Sequence, residues 1–375
     1  MLKIIADDKI PFLKGILEPY AQIEYLPGTH ITLKDLKSAD ALIVRTRTQC
    51  NAGLLEGTKV RFIASATIGH DHIDKDYCIQ NNISWVNAPG CNAESVVQYM
   101  TSALAMILRQ TGKSFKEITI GIVGAGNVGH RLAKLSATLG ISTLINDPPR
   151  EMREGSTGFT SLEIILKNAD IISFHVPLTR FGPYKTLHMA NADLLSEIRP
   201  GAWLINTSRG EVVQTDALKN ALQNGVLAGA ILDVWEDEPS IDLKLLQMAF
   251  IATPHIAGYS ADGKANGTAM SVQAISRFFN LGIDHWRPDF IPASPGGIIT
   301  PSHYNSLEEL FCDISLTAYD IQDDHCQLLA HPDLFEKLRE NYPIRREAPA
   351  LTVDGSMLTE EAKGLVATLG YKILG

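Results

Sequence analysis

Residues 118–147 constrain the fold of this chain more than any other stretch. The apolar run Ile118–Val123 enters Gly124-Ala125-Gly126-Asn127-Val128-Gly129, a helix is predicted to about Leu139, Gly140 stops it, and Ser142–Asn146 ends on Asp147. Strand, glycine loop, helix and strand in that order predict a nucleotide-binding βαβ unit. Gly124 permits a tight turn, and Gly126 lets the backbone approach a pyrophosphate seated on the unpaired N–H groups of the helix N-terminus. Asp147, 18 residues after Gly129, is placed to accept hydrogen bonds from ribose hydroxyls and to repel a 2′-phosphate, which favours NAD. The competing interpretation is a structural turn with no ligand.

Similar punctuation recurs on both sides. Residues 2–6, 41–44, 61–65 and 83–87 are short apolar runs bounded by turn residues and read as parallel strands. A buried helix is expected over Val96–Leu108. Further strands are predicted at Ile171–Phe174, Ala202–Thr207, Ala228–Val234 and Phe250–Thr253, and Pro148-Pro149 is read as a break. The expected fold is α/β with two doubly wound parallel sheets, a Rossmann-type domain inserted in a flavodoxin-like one. A helix over Gly267–Leu281 should pack back on the first domain, 288–301 reads as a linker, and the remainder is long enough for a small α+β domain. The domain limits so drawn are 1–95 with 256–286, 96–255, and 287–375.

The chain's 375 residues exceed one ordinary core. A net charge of −9 argues against nucleic acid or an anionic membrane as the main partner. Five cysteines without a C-x-x-C pair suit a reducing compartment, and no apolar run is long enough to span a membrane. The first residues read as a strand rather than a signal peptide, so the cytoplasm is expected.

Three segments follow the nucleotide unit: Asn206-Thr207-Ser208-Arg209-Gly210, Asp233-Val234-Trp235-Glu236-Asp237-Glu238-Pro239 and Thr253-Pro254-His255-Ile256-Ala257-Gly258. All follow predicted strands, where open α/β sheets place their ligands. Oxidation of a 2-hydroxy acid needs a base for the hydroxyl proton and a cation for the carboxylate. His255 suits the first, with Glu238 to hold its ring, and Arg209 suits the second with a fork that never loses its charge. Singly, each could be a loop or surface residue.

With these motifs the chain resembles the NAD-dependent D-2-hydroxyacid dehydrogenases over about residues 1–285. The resemblance implies catalytic roles for Arg209, Glu238 and His255. A narrower resemblance, carried by Ala64–Asp74, Ala88–Ala93, Gly182–His188 and Pro254–Tyr259, is to a branch acting on a phosphorylated 2-hydroxy acid, whose members are homodimers with a C-terminal dimerisation domain. It implies NAD contacts at Gly124, Gly126, Asn127, Val128, Gly129, Asp147, Val176, Thr207, Ser208, Arg209, Asp233 and Gly258, with Asp233 facing the nicotinamide side. Substrate contacts are implied at Thr46, Thr67 and Tyr259. The chain departs from the branch pattern at Thr46 and Val176, where serine and threonine are expected.

For the substrate phosphate, Arg45 is the first candidate within Arg45-Thr46-Arg47, and Arg345-Arg346 could contribute across a dimer interface. His70, Asp71, His72 and Asp74 have irregular spacing and read as a polar turn, so no metal is expected. Two alternatives stay open: a dehydrogenase of another D-2-hydroxy acid such as 3-phosphoglycerate, and an NAD-sensing corepressor-like binding protein. His255→Ala discriminates them: turnover should vanish in an enzyme, whereas partner binding should persist in a sensor.

Overall fold

The computed structural model describes residues 1–294 and 297–375. The chain forms two compact units, 1–92 with 259–293 and 93–258 with 294–375. The first is built on five parallel strands: β1 (Lys3–Asp7), β2 (Gln22–Leu26), β3 (Ala41–Val44), β4 (Phe62–Ser65) and β5 (Ser84–Val86), in the order β2-β1-β3-β4-β5. That is the flavodoxin-like order. Successive side chains on a strand face opposite ways, and the cores show it. Ile5, Leu42, Val44 and Ile63 pack into one cluster, while Ile4, Ala6, Ala41, Ile43, Phe62 and Ala64 pack into another. Burial on both faces is why these strands read as continuous apolar runs. The helix Ala261–Phe279 covers the second face through Val272 and Ile275, as expected from sequence.

The second unit holds β6 (Thr119–Val123), β7 (Ser142–Asn146), β8 (Ile171–Phe174), β9 (Ala202–Asn206), β10 (Leu227–Leu232) and β11 (Ile251–Ala252), all parallel, ordered β11-β10-β9-β8-β6-β7. The order reverses between β6 and β8, so the loop after β6 opens at the switch point. The long helix is Ala93–Thr111, buried along most of its length.

Two sequence expectations need correction. β2 was not anticipated, because it is an edge strand whose Gln-Ile-Glu-Tyr-Leu alternates exposed and part-buried residues. Pro148-Pro149 does not break the chain: it opens the helix Pro148–Glu154, with Asp147 as the capping residue. Proline is tolerated there because first-turn N–H groups have no intrahelical acceptor.

Residues 294–375, expected as part of a domain of their own, share the second unit. Leu328 and Phe335 sit in one hydrophobic cluster with Phe174, Leu232 and Ala252. This segment carries the helices Leu307–Ala318, Ile321–Ala330, Phe335–Glu340 and Glu360–Thr368 and a parallel pair, β12 (Thr352–Asp354) with β13 (Lys372–Leu374). The predicted linker over 288–301 includes Pro295 and Gly296, which lie outside the described residues. Among the described residues, no helix is long and apolar enough to cross a membrane.

Candidate active site

The glycine loop has the geometry that a dinucleotide requires. Gly124 has φ +95°, and a Cβ there would lie 2.6 Å from the His175 carbonyl oxygen and 2.9 Å from Val176 Cγ1. At Gly129 a Cβ would come within 2.0 Å of the Gly124 carbonyl oxygen, so only glycine lets the helix Asn127–Thr138 start this close to the loop. Around Gly126 a Cβ would meet nothing within 4 Å. Gly126 and Asn127 are exposed, and Gly126 caps the helix without a side chain. Unpaired N–H groups facing open space are what a pyrophosphate needs.

Asp147 ties this loop to the next helix. One carboxylate oxygen accepts from the Ala125 N–H (2.8 Å) and the other from the Arg150 N–H (3.0 Å). A carboxylate has about four acceptor positions, so capacity is left for ribose hydroxyls. The residues present therefore fit NAD.

His255 and Glu238 meet. Nδ1 of His255 lies 2.8 Å from Glu238 Oε2, and Glu238 Oε1 accepts from the Trp235 N–H at 2.9 Å. Because a carboxylate only accepts, Nδ1 carries a proton, and in the neutral ring it is Nε2 that presents its lone pair. Burial pushes the Glu238 carboxyl up, but the neighbouring His255, the Trp235 N–H and the positive charge of Arg339 outweigh it, and the net direction is down. Glu238 is thus held ionised. His255 itself has φ +57°, a left-handed conformation uncommon outside glycine, which the surrounding contacts must sustain.

Those contacts come from buried polar groups. Asp233, expected to face the nicotinamide, is only 1% exposed, and its carboxylate is committed to the histidine segment. It accepts from the Thr253 hydroxyl (2.7 Å) and from the N–H groups of Ile256 (2.7 Å) and Ala257 (2.9 Å). Burial raises its pKa, and these bonds together with His255 offset only part of that rise. The Tyr99 hydroxyl lies 2.8 Å from Thr253 Oγ1.

Arg209 stands on a turn organised by Asn206, whose amide oxygen accepts from the Ser208 N–H (3.0 Å) and hydroxyl (2.8 Å) and whose amide donates to the Arg209 carbonyl (2.9 Å). The Ser208 side chain is consumed inside the turn. A Cβ on Gly210 would sit 1.9 Å from the Trp235 carbonyl carbon, so glycine brings this turn against the segment carrying Glu238. Gly210→Ala should therefore lower stability by about 1–3 kcal/mol. Gly126→Ala should instead leave Tm close to the parent's and weaken NAD binding about tenfold, near 1.4 kcal/mol. Thermal unfolding beside NAD titration separates the two.

Sequence reasoning missed His175. Its Nε2 lies 2.9 Å from Ser173 Oγ and its Nδ1 3.3 Å from Thr207 Oγ1. Burial pushes its pKa from 6.5 down to about 4, so the ring is neutral in the folded protein. Between those values only the unfolded chain binds the proton, and stability falls as pH drops from about 6.5 towards 4, by up to about 3 kcal/mol. His175→Gln should flatten that part of the urea-stability profile. The only sequence signal was a histidine at a strand end before Val176-Pro177.

The predicted substrate residues lie in the first unit. Arg45 is engaged by the buried Asp7, with Nε to Oδ2 at 3.1 Å and Nη2 to Oδ1 at 3.3 Å. Thr46 and Arg47 are exposed. Arg47, Thr48 and Asn51, with the apolar Ile31, Leu33 and Leu54, line an open hollow of about 410 Å³. The Thr67 hydroxyl lies 2.8 Å from Ser65 Oγ and donates to the Gly69 carbonyl (3.0 Å), and Lys264 Nζ lies 4.5 Å over the Tyr259 ring. His72 Nε2 lies 3.2 Å from Ser65 Oγ and Asp74 caps a helix; among the described residues no His/Cys/Asp/Glu group is arranged for a metal.

Comparison with known proteins gives the family. The model of the D-isomer specific 2-hydroxyacid dehydrogenase, NAD binding domain, matches residues 98–257. Erythronate-4-phosphate dehydrogenase of Bacteroides fragilis is 48% identical over 354 residues, covering 94% of this chain and 99% of that protein. The enzyme of the same name from Escherichia coli is 41% identical over 379 residues, with 99% and 98% covered. Among solved structures, D-lactate dehydrogenase from Aquifex aeolicus, complexed with NAD and lactic acid, superposes with a TM-score of 0.62 at 27% identity over 75% of this chain and 96% of that one. The chain belongs to the D-isomer-specific 2-hydroxyacid dehydrogenase family and is an NAD-dependent oxidoreductase.

Proposed function

We propose that the chain oxidises 4-phospho-D-erythronate to 2-oxo-3-hydroxy-4-phosphobutanoate, in the biosynthesis of pyridoxal 5′-phosphate. The observation that carries this proposal is the His255 Nδ1–Glu238 contact at 2.8 Å, within the unit that holds the glycine loop. Relatives 40–48% identical over nearly their whole length bear that enzyme's name.

Glu238 holds His255 in the tautomer that leaves Nε2 free. That nitrogen takes the C2 hydroxyl proton as the carbonyl forms, and NAD+ supplies the acceptor for the C2 hydride. The ionised Glu238 stabilises the imidazolium that results. Arg209 orients the substrate carboxylate and offsets charge on the C2 oxygen. Asn206, Gly210 and Asp233 fix the segments that carry these groups. Arg45 and Arg47 are the proposed cations for the 4-phosphate.

We further propose a cytoplasmic homodimer formed through the C-terminal segment. All five cysteines are free, which agrees with a reducing compartment. Sedimentation of the full chain should give about twice 40.9 kDa, and a monomer mass would rule the dimer out.

Substrate choice is tested by kcat/KM for 4-phospho-D-erythronate, unphosphorylated D-erythronate and 3-phospho-D-glycerate with NAD+. The first should be preferred. Preference for 3-phosphoglycerate would keep the chemistry and overturn the substrate, and NAD binding without turnover on any of the three would favour a sensor.

A further inference from the structure

The segment that bears His255 is gripped from the C-terminal part of the chain, more than 70 residues away in sequence. At one end, the Ala252 N–H donates to Nδ1 of His325 at 3.1 Å. At the other, Arg345 Nη2 donates to the carbonyls of Ala257 (2.5 Å) and Ile256 (3.2 Å) and to Ser95 Oγ (2.5 Å). Ser95 donates in turn to the same Ala257 carbonyl at 2.8 Å.

Arg345 is not a solvated surface arginine. It is 5% exposed, its guanidinium lies 4.2 Å over the Tyr319 ring and 5.8 Å from that of Tyr342, and both tyrosine hydroxyls donate to Asp324 at 2.8 Å. The planar cation is therefore fixed in position before it reaches the two carbonyls.

Ile256 and Ala257 are held from both sides. Asp233 accepts their N–H groups, and Arg345 donates to their carbonyls. Immediately before them stands His255, at φ +57°. A backbone conformation of this kind persists only where its surroundings over-determine it.

From this we infer that Arg345 is a positioning residue for catalysis: by bonding the Ile256 and Ala257 carbonyls it holds the His255 ring in register with Glu238, so the C-terminal segment serves turnover as well as structure. The inference takes His255 to be the base, as proposed above. A displaced ring keeps the fold and the cofactor site but loses the alignment that proton transfer demands.

The test compares Arg345→Met, Arg345→Lys, His255→Gln and the double variant Arg345→Met/His255→Gln. For Arg345→Met, kcat should fall about 10- to 100-fold, with Kd for NAD+ unchanged and KM moved much less than kcat. Arg345→Lys, which keeps a donor and a charge, should restore most of kcat. Because Arg345 acts through His255, the double variant should be no slower than His255→Gln alone.

Multiplying losses in the double variant would overturn the inference, as would Arg345→Met with parental kcat whatever its Tm. Should Arg345→Met fail to fold, Arg345→Gln, which keeps a single neutral donor, carries the same test: a loss of kcat that disappears in the His255→Gln background supports the inference, and a loss that persists there, or parental kcat, overturns it. Parental turnover in His255→Gln would instead remove the base itself, a result separable from anything seen at position 345.

Discussion

Replacing His255 with glutamine is expected to lower kcat by about 10²–10⁴-fold, the range general-base catalysis supplies. NAD+ affinity should hold, because the glycine loop and Asp147 lie elsewhere on the sheet of the same unit. Glutamine keeps a polar side chain of similar size near Glu238, so a buried carboxylate is not stranded. The pattern to look for is a loss in kcat and kcat/KM together, with the oxidised product followed directly. Such a pattern marks an interaction made in the transition state. Turnover within about threefold of the parent would mean that another group takes the proton.

Arg209 comes second. Arg209→Met should cost about 10²–10³-fold in kcat, the scale on which loss of a charge-stabilising donor is felt, and should also raise KM for the hydroxy acid. Lysine should repair only part of this, since a single ammonium cannot match a carboxylate with two parallel bonds. Added guanidinium ion should partly rescue Arg209→Ala. Equal activity in Arg209→Lys and the parent would mean that charge alone, without the fork, is sufficient.

Both effects depend on loops whose placement the sequence shows unevenly. The β6–glycine loop–β7 unit is legible because every one of its signals is local. Buried parallel strands leave continuous apolar runs, and glycine marks a φ of +95° at Gly124 and a 2.0 Å approach at Gly129. The same locality makes Arg209, Glu238 and His255 visible, each just beyond a strand of the same sheet. Pro148-Pro149 misleads for an instructive reason, since a proline pair signals either a break or a helix start, and the capping aspartate before it decides which.

What was not legible is what holds the site. Asp233 reads as a carboxylate at a strand end, yet it binds the segment 253–257 some twenty residues further on. Arg345 reads as one of a pair that could reach a substrate phosphate across a dimer interface, although it is buried and its partners include Ser95, 250 residues earlier in the chain. His325 reads as an unremarked helical residue, although it accepts the Ala252 N–H. No periodicity or spacing encodes pairs so far apart. They exist because residues 294–375 fold onto the same unit as the cofactor sheet.

The central claim is hydride transfer from C2 of a phosphorylated 2-hydroxy acid to NAD+, with His255 as the base. The most direct measurement is single turnover with 4-phospho-D-erythronate deuterated at C2, with mass analysis of the nicotinamide product and of the oxo acid. One deuterium should appear in each reduced nicotinamide formed, one 2-oxo acid should accompany it, and both should form about 10²–10⁴-fold more slowly in His255→Gln. Reduced cofactor without deuterium, or turnover preserved in His255→Gln, would contradict the account.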